Sequence, residues 1–146
     1  MESDKNKVLF YGGKYHAFSN FSSFMVMYED YLWPTAEYAY QASKFDDVVI
    51  INEIKSARSS YDTFQIARKY PDKVRKDWME VNLGIMKKIV REKLNQHSYI
   101  KQKLIETGQM EIIENSPTDA FWGWGQNKDG QNHLGKIWME LRDEIN

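Results

Sequence analysis

The strongest periodic pattern of apolar side chains lies in the middle of the chain. Between Asp72 and about Asn95, apolar residues recur every three or four positions, the spacing of one face of an α-helix. These positions are Val74, Trp78, Val81, Ile85 and Ile89, broadened by Met86, Val90 and Leu94. The pattern predicts the longest helix of the protein and its central scaffold.

Shorter helical patterns flank this segment. Thr35 is a suitable N-cap for a helix that runs to about Asp46, and further helices are predicted over 48–58 and 62–69. Ser98 is a candidate cap for a helix that stops at Gly108. Asn132 is a candidate cap for the last helix, whose apolar seam consists of Leu134, Ile137, Leu141 and Ile145.

The predicted strands are few and short. Residues 7–11 have a strand-like composition and end at two glycines, and residues 24–33 predict a hairpin that turns near Glu29 and Asp30. A last short strand is predicted over 110–113.

Composition narrows the class of protein. A length of 146 residues, without repeats or a linker-like tract, predicts one domain over residues 1–146. The 20 basic and 21 acidic residues give a net charge of −1, so any contact with nucleic acid must be local. The absence of cysteine excludes disulfides, thiolate nucleophiles and cysteine-ligated zinc. The polar N-terminus predicts a cytoplasmic protein with no membrane partner.

Aromatic residues make up 14% of the chain. Most are expected in the core, but two aromatic segments also contain Gly, Asn or Ser and are unlike regular helix. They are Phe18-Ser19-Asn20-Phe21 and Phe121-Trp122-Gly123-Trp124-Gly125. Flat rings in such segments predict a stacking site for a planar ligand.

The segment 116–135 is too long for a simple connection and predicts a functional loop. Its glycines would let backbone amides approach a ligand, and the helix that follows could accept a phosphate at its start. The chain has no Walker or dinucleotide-binding glycine pattern and no calcium-binding loop. Its three histidines are scattered, so we assign no metal.

A reactive face is predicted on the helix that follows Thr35. At about 100° per residue, Glu37, Gln41 and Lys44 fall within a narrow arc. The apolar stripe, roughly a quarter turn away, consists of Tyr38, Ala42 and Phe45. A carboxylate and an amine on one face can serve in acid–base, electrostatic or nucleophilic catalysis. The alternative is an exposed helix with a charged side.

Several ordered segments together resemble the NADAR (YbiA-like) family. They are Phe18-Ser19-Asn20-Phe21, Trp33-Pro34-Thr35-Ala36-Glu37, Gln41-Ala42-Ser43-Lys44-Phe45, Lys76-Asp77-Trp78 with Val81 and Met86, Asp119-Ala120-Phe121-Trp122-Gly123, Asn132-His133-Leu134-Gly135 and Met139-Glu140-Leu141-Arg142. The resemblance extends over nearly the whole chain.

The resemblance implies an α+β, predominantly helical fold: a single compact domain with a small N-terminal β element. It also implies an N-glycosidase that cleaves a bond between ribose C1 and nitrogen without a metal or other cofactor. The substrate expected first is ADP-ribosylated guanine in DNA or RNA. The alternatives are ribosylamino-pyrimidine phosphate intermediates of riboflavin biosynthesis, and non-catalytic binding of ADP-ribose. A structural domain whose aromatic residues are only core is the third class of hypothesis.

The chemistry assigns roles to individual residues. Breaking a ribosyl C–N bond builds positive charge on the sugar, which a carboxylate near C1 stabilises, and Glu37 is the candidate. Lys44 is either a nucleophile at C1 or a binding group. By resemblance, Trp78 would stack on the leaving base, and Asp119 would bind ribose hydroxyls or protonate and position the base. The competing explanations are that Trp78 belongs to the core and that Asp119 caps a turn after Pro117-Thr118. Further substrate-binding candidates, with packing or turn formation as the competing explanation, are Phe18, Ser19, Asn20, Gln41, Trp122, Gly123 and Asn132.

Overall fold

The computed structural model describes residues 6–145, and over these residues the chain is α+β and predominantly helical, as expected. The helices are α1 (Ala36–Ala42), α2 (Val48–Lys55), α3 (Ser60–Arg68), α4 (Trp78–Gln96), α5 (Ser98–Glu106) and α6 (His133–Ile145). The strands are β1 (Lys7–Phe10), β2 (Val26–Tyr28), β3 (Tyr31–Trp33) and β4 (Glu111–Glu114). Two 3₁₀ helices span Gly13–Phe18 and Pro71–Lys73.

The described chain forms two compact units, a first unit of residues 6–19 and 97–145 and a second unit of residues 20–96. In the first unit, β1 and β4 form a parallel pair in which Val8 faces Ile112. Helix α6 packs on β4, and the indole N–H of Trp138 donates to the carbonyl of Phe18 at 3.0 Å. This unit joins segments that are about 100 residues apart in the sequence. The expectation of one domain over residues 1–146 stays a prediction.

Helix α1 lies at the centre of the second unit, where it packs against α2, α3 and α4. The predicted hairpin is confirmed as the antiparallel pair β2–β3. Glu29 and Asp30 have φ angles of +50° and +62° at its turn, which is the backbone that a tight hairpin needs. The carboxamide of Gln96, at the end of α4, bonds both the amide and the carbonyl of Met27.

The predicted extension of α1 to Asp46 is wrong, because α1 ends at Ala42. Phe45 pairs with Val74 in an isolated antiparallel bridge, and the amide of Arg75 donates to the carbonyl of Lys44 at 2.8 Å. These contacts draw the chain out of the helical path. The same pairing takes Val74 out of the long helix, which begins at Trp78.

Several predicted caps act differently in the structure. The hydroxyl of Thr35 bonds that of Ser60 at 2.7 Å and makes no capping bond to α1. The N-cap of α5 is His97, one residue before the expected Ser98. Helix α3 begins at Ser60, two residues earlier than expected, because the Ser59 hydroxyl accepts from the amide of Asp62.

Within residues 6–145, each helix is too short or too polar to cross a lipid bilayer.

Candidate active site

Glu37 and Gln41 form a buried hydrogen-bonded pair on α1. The Gln41 Nε2 group donates to Glu37 Oε2 at 2.7 Å, and the two residues are 8% and 2% exposed. The bond confirms that these residues share a face, whereas their burial rules out the alternative of an exposed charged side. A buried carboxylate needs such a donor, since desolvation otherwise makes its charge costly.

Lys44 lies two residues beyond the end of α1, where its amide donates to the carbonyl of Gln41 at 3.2 Å. Burial lowers the pKa of the Lys44 ammonium from its ordinary value, and the nearby negative charge of Glu37 opposes this shift. The Nζ atom lies 5.6 Å from the centre of the Tyr40 ring. Lys44 therefore has the partly desolvated environment that favours a neutral, nucleophilic amine.

Asn20 is tied to the first turn of α1. Its backbone carbonyl accepts from the amide of Glu37 at 3.0 Å, and its Nδ2 group donates to the Met86 sulfur at 3.3 Å. Its own Oδ1 atom and the Oε1 atom of Gln41 are buried without a hydrogen-bond partner among the described residues. Rotating either amide by 180° would turn an oxygen toward sulfur or carboxylate, so both oxygens are fixed as acceptors. Both residues that carry these acceptors bond to Glu37, Gln41 through its side chain and Asn20 through its backbone.

Trp78 is the first residue of α4 and is buried. Its ring packs against Tyr40, with 5.1 Å between ring centres and an angle of 54° between the planes. Tyr40 therefore links the amine of Lys44 to the Trp78 ring. We did not single out Tyr40 from the sequence, although its four-residue spacing from Lys44 was an available signal. Met86 is part of the family resemblance and of the apolar face of the long helix, but the sequence did not indicate its contact with Asn20.

Asp119 lies in the long loop of the first unit. Its Oδ1 atom accepts hydrogen bonds from the amides of Phe121 and Trp122, at 2.9 and 2.8 Å. Its own amide donates to the Ser116 hydroxyl at 2.9 Å. One carboxylate oxygen thus stabilises the turn, as the competing explanation held, and these bonds also fix the direction of the carboxylate.

Asn132 and Gly123 both stabilise the packing of the same loop against β4. Asn132 Oδ1 accepts from the amide of Glu114 and its Nδ2 donates to the carbonyl of Ile112, both at 2.9 Å. The predicted capping of α6 by the Asn132 side chain is therefore wrong, because the carboxamide is used on β4. A Cβ atom at Gly123 would lie 2.7 Å from the Glu114 carbonyl, so a larger residue does not fit.

The expectation that the start of α6 accepts a phosphate is also wrong. The amide of His133 donates to the carbonyl of Phe121, and that of Leu134 donates to the carbonyl of Trp122, both at 3.0 Å. These are among the amides that a helix start would offer to an anion. Backbone carbonyls of the loop already occupy them.

The aromatic candidates differ in exposure. Phe18 is completely buried, with its ring against Phe10, Tyr15 and Trp138, so its contacts are those of a core residue. Ser19 is buried, and its amide donates to the carbonyl of His16 at 2.9 Å. Trp122 is half-buried and packs edge-on against Phe121, with 4.8 Å between ring centres. Among Phe18, Ser19 and Trp122, only Trp122 has a substantial part of its side chain exposed to a ligand.

The structure thus groups the candidates within each unit. In the second unit it brings together Glu37, Gln41 and Asn20, with Lys44 and Trp78 linked through Tyr40. In the first unit, Asp119, Trp122, Gly123 and Asn132 belong to one hydrogen-bonded loop.

The chain is similar to named proteins over most of its length. It is 42% identical over 134 residues to N-glycosidase Npun_R5314 of Nostoc punctiforme, covering 90% of this chain and 86% of that protein. It is 37% identical over 131 residues to riboflavin biosynthesis protein VVA0006 of Vibrio vulnificus, covering 89% of this chain but 36% of that protein. This chain therefore spans about a third of the Vibrio relative's length.

A solved structure has the same fold. The NMR structure of the E. coli protein YbiA superposes with a TM-score of 0.88 at 32% sequence identity, covering 97% of this chain and 86% of that chain. The sequence pattern of the NADAR domain matches residues 9–146, a range that includes most of both units. The chain therefore belongs to the NADAR domain family.

Proposed function

We propose that the protein is an N-glycosidase that hydrolyses the bond between ribose C1 and a nitrogen atom. The observation that carries the proposal is the buried Glu37 carboxylate, held by Gln41 and close enough to Lys44 for its charge to affect the amine. The names of the Nostoc protein, an N-glycosidase, and of the Vibrio protein, which belongs to riboflavin biosynthesis, support this reaction class.

In the first mechanism Glu37 acts electrostatically. As the C1–N bond breaks, its electron pair leaves with the nitrogen and positive charge develops on C1 and the ring oxygen. The Glu37 carboxylate stabilises that charge in the transition state but gains no such interaction with the uncharged ribose ring of the bound substrate, which lowers the barrier. Water then adds to C1 and loses a proton, and the departing nitrogen gains one.

In the second mechanism Lys44 is a nucleophile. Its neutral amine attacks C1, and the base leaves with the bonding pair and takes a proton from the attacking nitrogen. The ring oxygen then gains a proton from water as the ring opens to a protonated Schiff base. Hydrolysis of this intermediate returns the sugar and the free amine. The lowered pKa of Lys44 supports this route, because it raises the neutral fraction near neutral pH.

The remaining candidates are assigned to binding. We place Asn20 and Gln41 at the sugar, because each bonds to Glu37 and carries a buried acceptor without a partner among the described residues. Trp78 and Trp122 are assigned to stacking on the base. Asp119 is assigned to ribose hydroxyls or to the base, since one oxygen stays available after Oδ1 has accepted two amides.

The proposed substrate is an ADP-ribosyl adduct of guanine in nucleic acid. A ribosylamino-pyrimidine phosphate is the second candidate, and the name of the Vibrio relative favours it. Both contain the ribosyl C–N bond that the mechanism requires. A net charge of −1 is compatible with recognition of one modified base, since that needs only a few local contacts.

The test is a side-by-side assay of the two substrates. The protein is incubated with an ADP-ribosylated guanine oligonucleotide or with the riboflavin intermediate, and released ADP-ribose or ribose 5-phosphate is measured by mass spectrometry. Glu37→Gln should lower kcat by about 10²–10⁴-fold while leaving the melting temperature close to that of the wild type. Glu111→Gln removes an exposed carboxylate and is the matched control.

Each outcome has a distinct meaning. Release from only one substrate identifies the substrate class. Tight binding in calorimetry without release would replace the proposal with a non-catalytic binding module. Full turnover by Glu37→Gln would remove Glu37 from the mechanism.

A further inference from the structure

A cleft with a volume of about 650 Å³ opens in the second unit, and it is separate from the side chains assigned above. Its walls come from the β2–β3 hairpin, α2, α4 and the turn that follows α1, and they do not include Glu37, Gln41 or Lys44. Ala42, which lines the cleft, is one residue beyond Gln41 and points about 100° away from it around the helix. The cleft therefore lies on another side of α1 and has no assigned role.

Gly84 forms part of the cleft wall in the interior of α4. Glycine is unfavourable inside a helix, so its presence there calls for a packing or functional reason. Packing does not supply one, because a Cβ atom at Gly84 would meet no other atom within 4 Å. The missing side chain leaves this part of the cleft wall open.

The cleft combines aromatic rings with cations. Tyr28, Tyr31 and Trp33 line it from the hairpin. The Lys55 ammonium lies over the Tyr31 ring, 4.2 Å from its centre, and 5.8 Å from the centre of the Trp33 ring. Tyr28 and Tyr31 are half-buried, so part of each ring remains exposed to a planar group, whereas Trp33 is buried behind them.

Two further cations line the cleft. Arg75 is held in place by two bonds to the carboxylate of Asp77, at 2.7 and 3.0 Å. Lys88 is exposed one turn beyond Gly84 on the same helix. Together with Lys55, these side chains place three cationic groups at the cleft, and the charge of one of them, Arg75, is already paired with Asp77.

The cleft also contains three carboxylates, those of Glu29, Asp46 and Glu80. They offset the three cations, so a simple anion would gain little net attraction. An uncharged apolar ligand would leave both sets of charges without ligand contacts. A suitable ligand carries an anionic group for the cations, a planar ring for the aromatic residues and N–H donors for the carboxylates.

A nucleotide has all three features, and we propose that this cleft is a nucleotide-binding site. Its phosphate would bind among Lys55, Arg75 and Lys88, its base would lie against the hairpin aromatics, and the amino group of the base would donate to a carboxylate. A free mononucleotide and one nucleotide of a single strand share this chemistry. The site is additional to the hydrolytic site and does not depend on the proposed reaction.

The experiment is an NMR titration of the ¹⁵N-labelled protein with three probes: AMP, a single-stranded DNA hexamer and inorganic phosphate. We expect saturable shifts of the Gly84 amide and the Trp33 indole N–H with AMP or the hexamer. Inorganic phosphate should bind at least tenfold more weakly than the better nucleotide probe. Tighter binding of the hexamer than of AMP identifies a strand as the source, and equal binding identifies a free nucleotide.

Substitutions at the cleft wall test whether the nucleotide binds there. Gly84→Leu fills the space at the wall and should weaken binding at least tenfold, whereas Gly84→Ala adds one methyl group and should not lower the melting temperature. Lys88→Gln should weaken binding several-fold, and Lys101→Gln removes an exposed lysine outside the cleft as the control. The proposal is overturned if neither nucleotide probe gives saturable shifts at 10 mM. Phosphate binding as tight as AMP binding, or unchanged binding in both Gly84→Leu and Lys88→Gln, would also overturn it.

Discussion

Gln41 donates a 2.7 Å hydrogen bond to the carboxylate of Glu37 one helical turn away, and both side chains are buried. The Nε2 group of Gln41 bonds the carboxylate, while its Oε1 atom has no partner among the described residues. Gln41 can therefore stabilise the charge on Glu37 and still accept a bond from a ligand. The position of the Glu37 carboxylate therefore depends on the side chain of Gln41.

We predict that Gln41→Leu lowers kcat about tenfold or more. The substitution removes the Nε2 donor that bonds the buried Glu37 carboxylate at 2.7 Å, and it removes the Oε1 acceptor assigned to the sugar. Gln102→Leu, at an exposed position of α5, is the control. An unchanged kcat for Gln41→Leu at saturating substrate would contradict this role of Gln41.

We predict that Lys44 can be tested as a nucleophile by reduction. If its amine forms a Schiff base with the opened sugar, borohydride added during turnover should give a stable adduct at Lys44, detected by peptide mass spectrometry. Lys44→Arg keeps a positive charge but cannot form this bond, so it should abolish both the adduct and turnover. Lys76→Arg, at an exposed position, should leave both unchanged. Full turnover by Lys44→Arg would instead show that the amine only binds.

We predict that the stability of the protein rises with pH through Lys93. This lysine is fully buried on α4, where its Nζ donates to the Ser22 hydroxyl at 2.9 Å, and burial lowers the pKa of its ammonium to about 7. Between about pH 7 and its ordinary pKa of 10.5, the unfolded chain holds a proton that the folded chain has released. The unfolded state then binds more protons, so the free energy of unfolding increases with pH over this range.

Urea unfolding of Lys93→Met at pH 6 and pH 9 measures this contribution. The variant lacks the buried charge, so its stability relative to the wild type should be greatest at pH 6 and should decrease by about 2–3 kcal/mol at pH 9. Lys101→Met, which removes an exposed lysine, should show no such change. A constant difference between Lys93→Met and wild type would mean that Lys93 does not titrate in this range.

We predict that Asn132→Ala lowers the free energy of unfolding by about 2–4 kcal/mol. The substitution removes the partners of the Glu114 amide and the Ile112 carbonyl on β4. It also places alanine at a φ of +53°, which asparagine tolerates better. Asn127→Ala, in the exposed part of the same loop, should change stability by less than about 0.5 kcal/mol. Equal effects of the two variants would show that the Asn132 bonds contribute little.

Local patterns in the sequence predicted the features that depend on neighbouring residues. The hairpin turn at Glu29 and Asp30 was predicted from the composition of its two arms, and the shared face of Glu37 and Gln41 from helical spacing. These features need only the geometry of one element. The same local information predicted the existence of all six helices.

Features that depend on distant partners could not be predicted in this way. The end of α1 is set by pairing with residues 74 and 75, which the sequence of α1 does not contain. Asn132 is a residue type that often caps helices, yet its side chain makes two hydrogen bonds to the backbone of β4 instead. The phosphate prediction failed for a similar reason, because loop carbonyls take the amides of His133 and Leu134.

The parallel pairing of β1 with β4 affects how the protein is made. During synthesis, residues 7–10 leave the ribosome before their partners 111–114, which follow about 100 residues later. At roughly 5–20 residues per second, the first strand waits several seconds with its backbone unpaired. Residues 20–96 can begin to fold during that interval, before β1 has its partner strand.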